Sequence, residues 1–246
     1  MNAPGSASDP AQKQFQTTHW SLVVRAADPD QPHVKEALAA LCEKYWYPLY
    51  AYARRRVPDL HEAQDLTQAF FACLLEKDLL ATASQERGRF RTFLLTALQH
   101  FIVNEWHKAR AEKRGGDRTL LSLDFEAGDS RFRLEPSIAL TAERLFERQW
   151  AMTLLDRGLA RLRETYHAAG EADRFERLQP FIGGHRPEES FADVAAELGL
   201  TAGAAKVAAH RLRKQYREIL RDELAQTVES ESEIDNEIAW LFRVLA

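Results

Sequence analysis

Ser190-Phe-Ala-Asp-Val-Ala-Ala-Glu-Leu-Gly-Leu-Thr-Ala-Gly-Ala-Ala-Lys-Val-Ala-Ala-His-Arg-Leu-Arg213 carries the most specific pattern in the chain. Ser190 stands where a helix N-cap is wanted, and Asp193 three residues on completes an imperfect capping box. Phe191, Val194 and Leu198 fall on one face of the helix that follows. Ala195 is small where a crossing helix must come close. Gly199 sits where the chain leaves that helix, a position that calls for positive φ and so for glycine. Thr201 can cap a second helix, with Ala205, Ala208 and Leu212 turned inward. Its outward side presents Ala202, Gly203, Lys206, Val207, His210 and Arg213, with Arg211 beside them. Short residues at the N-terminal end and basic ones beyond are what a helix entering a major groove needs. The bland alternative is an ordinary antiparallel helix pair with a glycine turn.

Working outward, glycine and proline are scarce and clustered, which favours long helices joined by short breaks. Apolar residues at 34, 38, 41, 45, 49 and 53 step by three and four and predict a helix over 34–53. Pro58 and Asp59 break the pattern. A second helix is predicted over 62–76, with Ala63, Leu66, Phe70 and Leu74 on one stripe. Residues 80–89 read as a loop. A third helix is predicted over 90–110, with Phe90, Leu94, Leu98, Phe101 and Ile102 on its apolar face and Thr96, His100, Asn104 and His107 on another. The pattern lapses from Gly115 to about 140, then resumes over 143–168 and 171–181.

The 246 residues are comfortable for two small domains, and an apolar fraction of 45% with 28% charged residues is that of a globular chain. The net charge of −4 is unevenly placed. Residues 87–118 hold eight basic side chains against Glu105, Glu112 and Asp117. Residues 202–217 hold Lys206, Arg211, Arg213, Lys214 and Arg217 and no acid, whereas eight acids follow from Glu218 onward. Two basic stretches and an acidic tail suggest local nucleic-acid faces, although a run of charge can also be a plain solvated surface. Cys42 and Cys73 lack metal-ligand spacing and read as reduced thiols. No apolar run approaches the roughly 20 residues that span a bilayer. The expectation is a cytoplasmic protein with no membrane contact, no metal, no cofactor and no catalytic residues.

At this point the residues resemble a family. Ser190–Arg213 resembles the upstream-promoter-binding region of extracytoplasmic-function (ECF) sigma factors of the sigma-70 superfamily. Tyr50-Ala-Tyr-Ala-Arg-Arg-Arg and Glu62-Ala-Gln-Asp-Leu-Thr-Gln-Ala-Phe-Phe resemble that family's polymerase-docking helices. Phe90-Arg-Thr-Phe-Leu-Leu-Thr-Ala-Leu-Gln-His-Phe-Ile-Val-Asn-Glu-Trp resembles its promoter-melting helix. The segment Thr17-Thr-His-Trp-Ser and the tail resemble extensions of a long-tailed branch.

The resemblance implies an all-α chain of two small helical domains, a sigma region 2-like bundle and a region 4-like helix-turn-helix domain, joined by a flexible linker. The implied divisions are a disordered leader at 1–16, region 2 at 17–114, a linker at 115–142, region 4 at 143–226 and an acidic, amphipathic extension at 227–246. It implies docking on core RNA polymerase through Asp65, Leu66, Gln68 and Phe70. Single-strand capture during promoter melting would use Arg91, Thr96, His100, Asn104, Trp106 and Lys108, since unstacked bases want aromatics beside cations. Duplex promoter DNA would meet Thr201, Ala202, Gly203, Lys206, Val207, His210, Arg211 and Arg213. The partners are core RNA polymerase, promoter DNA and an anti-sigma factor or other regulator, and the chain when unbound is expected to be a monomer. The tail is expected either to fold back on a basic or apolar face and temper DNA binding, or simply to complete the second domain. The alternatives are a stand-alone helix-turn-helix regulator, which would bind duplex without polymerase, and a helical nucleic-acid enzyme, which would need clustered acidic or metal-ligand residues.

Overall fold

The computed structural model of the chain describes residues 34–76, 89–111, 123–134, 140–183, 190–225, 228 and 231–245. Among them every regular element is helical. The α-helices are α1 (Val34–Arg56), α2 (Leu60–Glu76), α3 (Phe90–Ala111), α4 (Phe125–Arg133), α5 (Ala142–Ala168), α6 (Ala172–Leu178), α7 (Phe191–Glu197), α8 (Ala202–Ala225) and α9 (Ile234–Leu245). Short 3-10 turns at Gln179–Phe181 and Glu231–Glu233 precede α7 and α9. The predicted leader at 1–16, the Thr17–Ser21 segment, and the loop over 80–88 lie outside the described residues.

The first core is built around α1. Tyr45, Leu49 and Ala53, on the stripe expected from the sequence, are buried, and so are Tyr47, Tyr50, Ala51 and Tyr52 on its other faces. A helix apolar on all sides must be enclosed. Here α2, α4 and α5 pack against it. Phe70 of α2 meets Phe71 and Phe101 edge-on, with ring centroids 5.9 and 5.7 Å apart. Phe90 of α3 packs edge-to-face on Tyr45 at 5.4 Å.

Part of the span expected to be linker is instead packed structure. Residues 123–134 contain α4, capped by Asp124, whose carboxylate accepts from the Ala127 N–H at 3.0 Å. Phe125 meets Tyr50 and Trp46 at 5.2 and 6.1 Å. Gly128 is required by close approach, since a Cβ there would stand 2.9 Å from the Trp46 ring. Asp129 receives Arg54 and Arg133 at 3.4 and 2.8 Å. Over 125–133 the sequence offers only Phe125 and Phe132 as large apolar residues among charged and small ones; the aromatics that hold the segment down, Trp46 and Tyr50, come from α1, some eighty residues earlier.

A boundary at residue 143 is likewise not mirrored in the packing, because α5 serves two cores. Its first half, through Leu145, Phe146, Trp150, Ala151 and Leu154, completes the core around α1 together with Leu224, Val228, Ile234 and Leu241. Its second half, through Leu162 and Tyr166, joins Phe175, Leu178, Phe181, Val194, Ala208, Ala209 and Leu212 in a second core. Gly158 marks where α5 and α8 cross most closely, since a Cβ there would lie 2.8 Å from Leu220 Cδ2. Tyr216 fastens the crossing by donating to the Leu155 carbonyl at 3.0 Å.

Buried Lys44 and Glu223 and half-buried Arg157 line a small cavity beside Trp150 and Leu154. Burial, reinforced by Arg157, lowers the Lys44 ammonium from its ordinary 10.5 to about 8. The folded chain therefore releases this proton at a pH where the unfolded chain keeps it, so stability should rise with pH from about 8. Above about 9 the effect is opposed by Cys42, whose thiol burial pushes up to about 11. Urea midpoints at pH 7.5 and 9 should increase for the parent chain and lose that increase in Lys44→Met. An equal rise in both proteins would rule Lys44 out as its source.

Candidate nucleic-acid interface

The helix-turn-helix forms as its local chemistry dictates. The Ser190 hydroxyl accepts from the Asp193 N–H at 3.3 Å, and the Asp193 carboxylate accepts from the Ser190 N–H at 3.0 Å. These paired bonds satisfy amides that the first turn of α7 cannot use internally. The Ser190 hydroxyl also donates to the Asp193 carboxylate at 2.7 Å, and this bond, with the one from the Ser190 N–H, holds the Asp193 carboxyl below its ordinary range. Gly199 has φ +65°, so a side chain at that position would be strained. Thr201 accepts from the Ala204 N–H at 3.2 Å and caps α8.

The second core sets the pose of α8. Val194 and Ala195 of α7 and Ala205, Ala208, Ala209 and Leu212 of α8 are buried. Phe181 stacks on Phe191 with centroids 4.3 Å apart, and Arg177 reaches Glu197 at 2.6 Å, so α6 braces α7. All the sequence-derived duplex residues are exposed: Thr201, Ala202, Gly203, Lys206, Val207, His210, Arg211 and Arg213. Val207 is 52% exposed, unusual for an apolar residue on a packed helix. The result is a row of small residues that lets a backbone approach closely, followed by cations that can neutralise phosphates.

A second exposed face runs along α3. Thr96, His100, Asn104 and His107 are at the surface. Val103 and Trp106 join them at 44% and 37% exposure, while Leu94, Leu98 and Ile102 are buried on the opposite side. The side chain of Lys108 lies outside the described residues. An exposed indole beside hydroxyl, amide and imidazole groups suits bases that have left their stack, for which aromatic stacking is worth about 1–3 kcal/mol each.

The structure places three of the sequence-derived site residues in the interior of the unbound chain. Leu66 and Phe70 of α2 are buried in the first core; Asp65 is exposed and Gln68 partly so. Both apolar residues belong to the stripe that faces α1 and α3. Arg91, expected on the single-strand face, is only 4% exposed. Its guanidinium lies 4.5 Å from the Trp150 ring centroid and 4.0 Å from that of Trp240, in the corner that the two edge-packed indoles form. It donates to Glu237 of α9 at 2.6 Å, and Arg89 contacts the same carboxylate at 2.6 Å.

Glu237 was not singled out by sequence reasoning, though it is fully buried. A signal existed: it interrupts the apolar stripe Ile234, Ile238 and Leu241 of an amphipathic helix with a carboxylate, and such a residue needs a buried cation. The acidic tail therefore meets the basic stretch at 89–91, not the exposed row of α8. It touches α8 only near its C-terminal end, where Arg221 reaches Asp235 at 2.6 Å. Among the described residues no group of three His, Cys, Asp or Glu side chains could hold a metal ion. No described helix is long and apolar enough to cross a membrane.

Residues 41–112 match the family model described as Sigma-70 region 2. The match runs through α1, α2 and α3, and so takes in exposed Asp65 and the α3 face; the helix-turn-helix lies outside it. No curated protein and no solved structure matches the chain.

Proposed function

We propose that this chain, with a segment similar to sigma-70 region 2, is a transcription initiation factor of the sigma type. It docks on core RNA polymerase, brings it to promoters and holds the opened strand. The observation that carries the reading is the pairing of two unlike exposed faces. The α3 face, with Trp106, His100 and Asn104, has the chemistry for unstacked bases and lies within the region 2 match. The α8 row, with Lys206, Arg211 and Arg213, has the chemistry for duplex DNA. A stand-alone duplex binder has no use for the first of these. The ECF type, a cytoplasmic setting and control by an anti-sigma factor or other regulator complete the reading. In this reading the protein has no chemistry of its own, since polymerase supplies the catalysis.

The test is run-off transcription with purified protein, sigma-free core polymerase and fragments from upstream of its own gene. Transcripts from a discrete start that depend on the protein are expected, and Asp65→Ala should reduce them by weakening binding to core. Absence of a transcript, together with no binding to core polymerase, would overturn the proposal. Duplex binding without polymerase would then identify a stand-alone regulator.

A further inference from the structure

The contact between α9 and the start of α3 has the composition of a nucleic-acid site already filled. Two guanidiniums, of Arg89 and Arg91, converge on one carboxylate of Glu237, each at 2.6 Å. Arg91 sits in the corner formed by Trp150 and Trp240, whose rings meet at 61° with centroids 5.4 Å apart. Arginine receives carboxylate and phosphate with the same forked donors, and indole faces take a base as readily as a guanidinium. Of the five side chains, Arg89 lies just before α3, Arg91 comes from the side of its first turn that packs against α5 and α9, and Trp150 comes from α5. Glu237 and Trp240 come together from α9, one helical turn apart.

We propose that Arg89, Arg91 and Trp150 form a subsite for single-stranded nucleic acid, and that α9 covers it in the unbound protein. In that covered state Glu237 stands in for a backbone phosphate and Trp240 for a stacked base. When the strand enters, α9 leaves, and the two arginines exchange one anion for another. The exchange keeps the cations neutralised throughout, which avoids the large cost of a buried charge left without a partner. It also makes strand binding compete with an intrachain contact, so the unbound factor resists DNA it meets away from polymerase. The proposal rests on the reading of α3 as a nucleic-acid face.

The experiment uses the full-length chain and a fluorescent single-stranded oligonucleotide, with affinity followed by anisotropy against salt. Glu237→Gln should bind on the order of tenfold tighter than the parent because α9 is released more easily, with a similar salt slope, since both proteins give the same two arginines to phosphate once α9 has left. The same substitution in an Arg89→Gln, Arg91→Gln background should lose that gain. A folded Glu237→Gln protein with parental affinity overturns the proposal, as does a gain that persists without the arginines. Should Glu237→Gln fail to fold, hydrogen exchange on the parent protein decides. Amides of 234–245 should lose protection when oligonucleotide saturates the chain, and unchanged protection, or no binding at all, overturns it. Factor-dependent run-off transcription alongside an indifferent Glu237→Gln would sink the subsite alone; failure of transcription and of core binding would sink the sigma reading instead.

Discussion

Trp150→Ala is expected to destabilise the protein by about 3–5 kcal/mol, the range for truncating a buried large aromatic. The indole is almost wholly buried where α1, α3, α5 and α9 come together. It packs edge-on against Trp240, and the Arg91 guanidinium lies over its face. Truncation removes that apolar area, leaves a cavity and takes from a buried cation one of its two aromatic walls. No neighbour can collapse into the gap without drawing α9 away from Glu237's partners, so the loss should sit toward the upper end of the range. Equilibrium urea denaturation, with the slope of the transition checked against the parent, measures it. A loss below about 1 kcal/mol would mean that α5 and α9 contribute little to the core around α1.

The second large effect concerns duplex DNA. Replacing Lys206, Arg211 and Arg213 together by glutamine should weaken duplex binding by about 10²-fold near physiological salt, and should lower the log–log salt slope by about 2.7. The arithmetic is about 0.9 of slope for each phosphate whose counterion is no longer released. The three side chains are exposed, so the variant should fold as the parent does and melt at the same temperature within error. An unchanged salt slope would show that this row does not face the backbone of DNA. Because Ala202, Gly203 and Val207 offer no side-chain hydrogen bond, the remaining sequence preference should follow groove shape and deformability more than bidentate base contacts.

Much of the helix-turn-helix was legible because its determinants are local. The Ser190–Asp193 box, the positive-φ glycine and the Thr201 cap lie within a dozen residues, and each answers a requirement of the backbone next to it. The alternation of buried and exposed positions along α8 follows from the helical period alone. The same reasoning found the α3 face, whose exposed row repeats every three or four residues.

It failed where a residue's fate depended on something far along the chain. Leu66 and Phe70 were carried to the polymerase-docking surface by resemblance, although their place in the apolar stripe of α2 already pointed inward. Arg91 was carried to the single-strand face by resemblance, and its carboxylate partner is 146 residues away. The α4 segment looked like linker because its own composition is polar, and its anchor is the aromatic face of α1.

The amino-acid sequence by itself determined that this protein is helical, where most of its helices start and stop, and which side of α3 and α8 meets solvent. Those properties are set by hydrogen bonding, capping and periodicity over a turn or two. Only the tertiary structure decided that α5 belongs to two cores, and that α9 closes over Arg89 and Arg91. The reason is that burying a charge is costly until a specific opposite charge arrives, and which one arrives is settled by the packing of α1, α5 and α9, not by any pattern within a single helix.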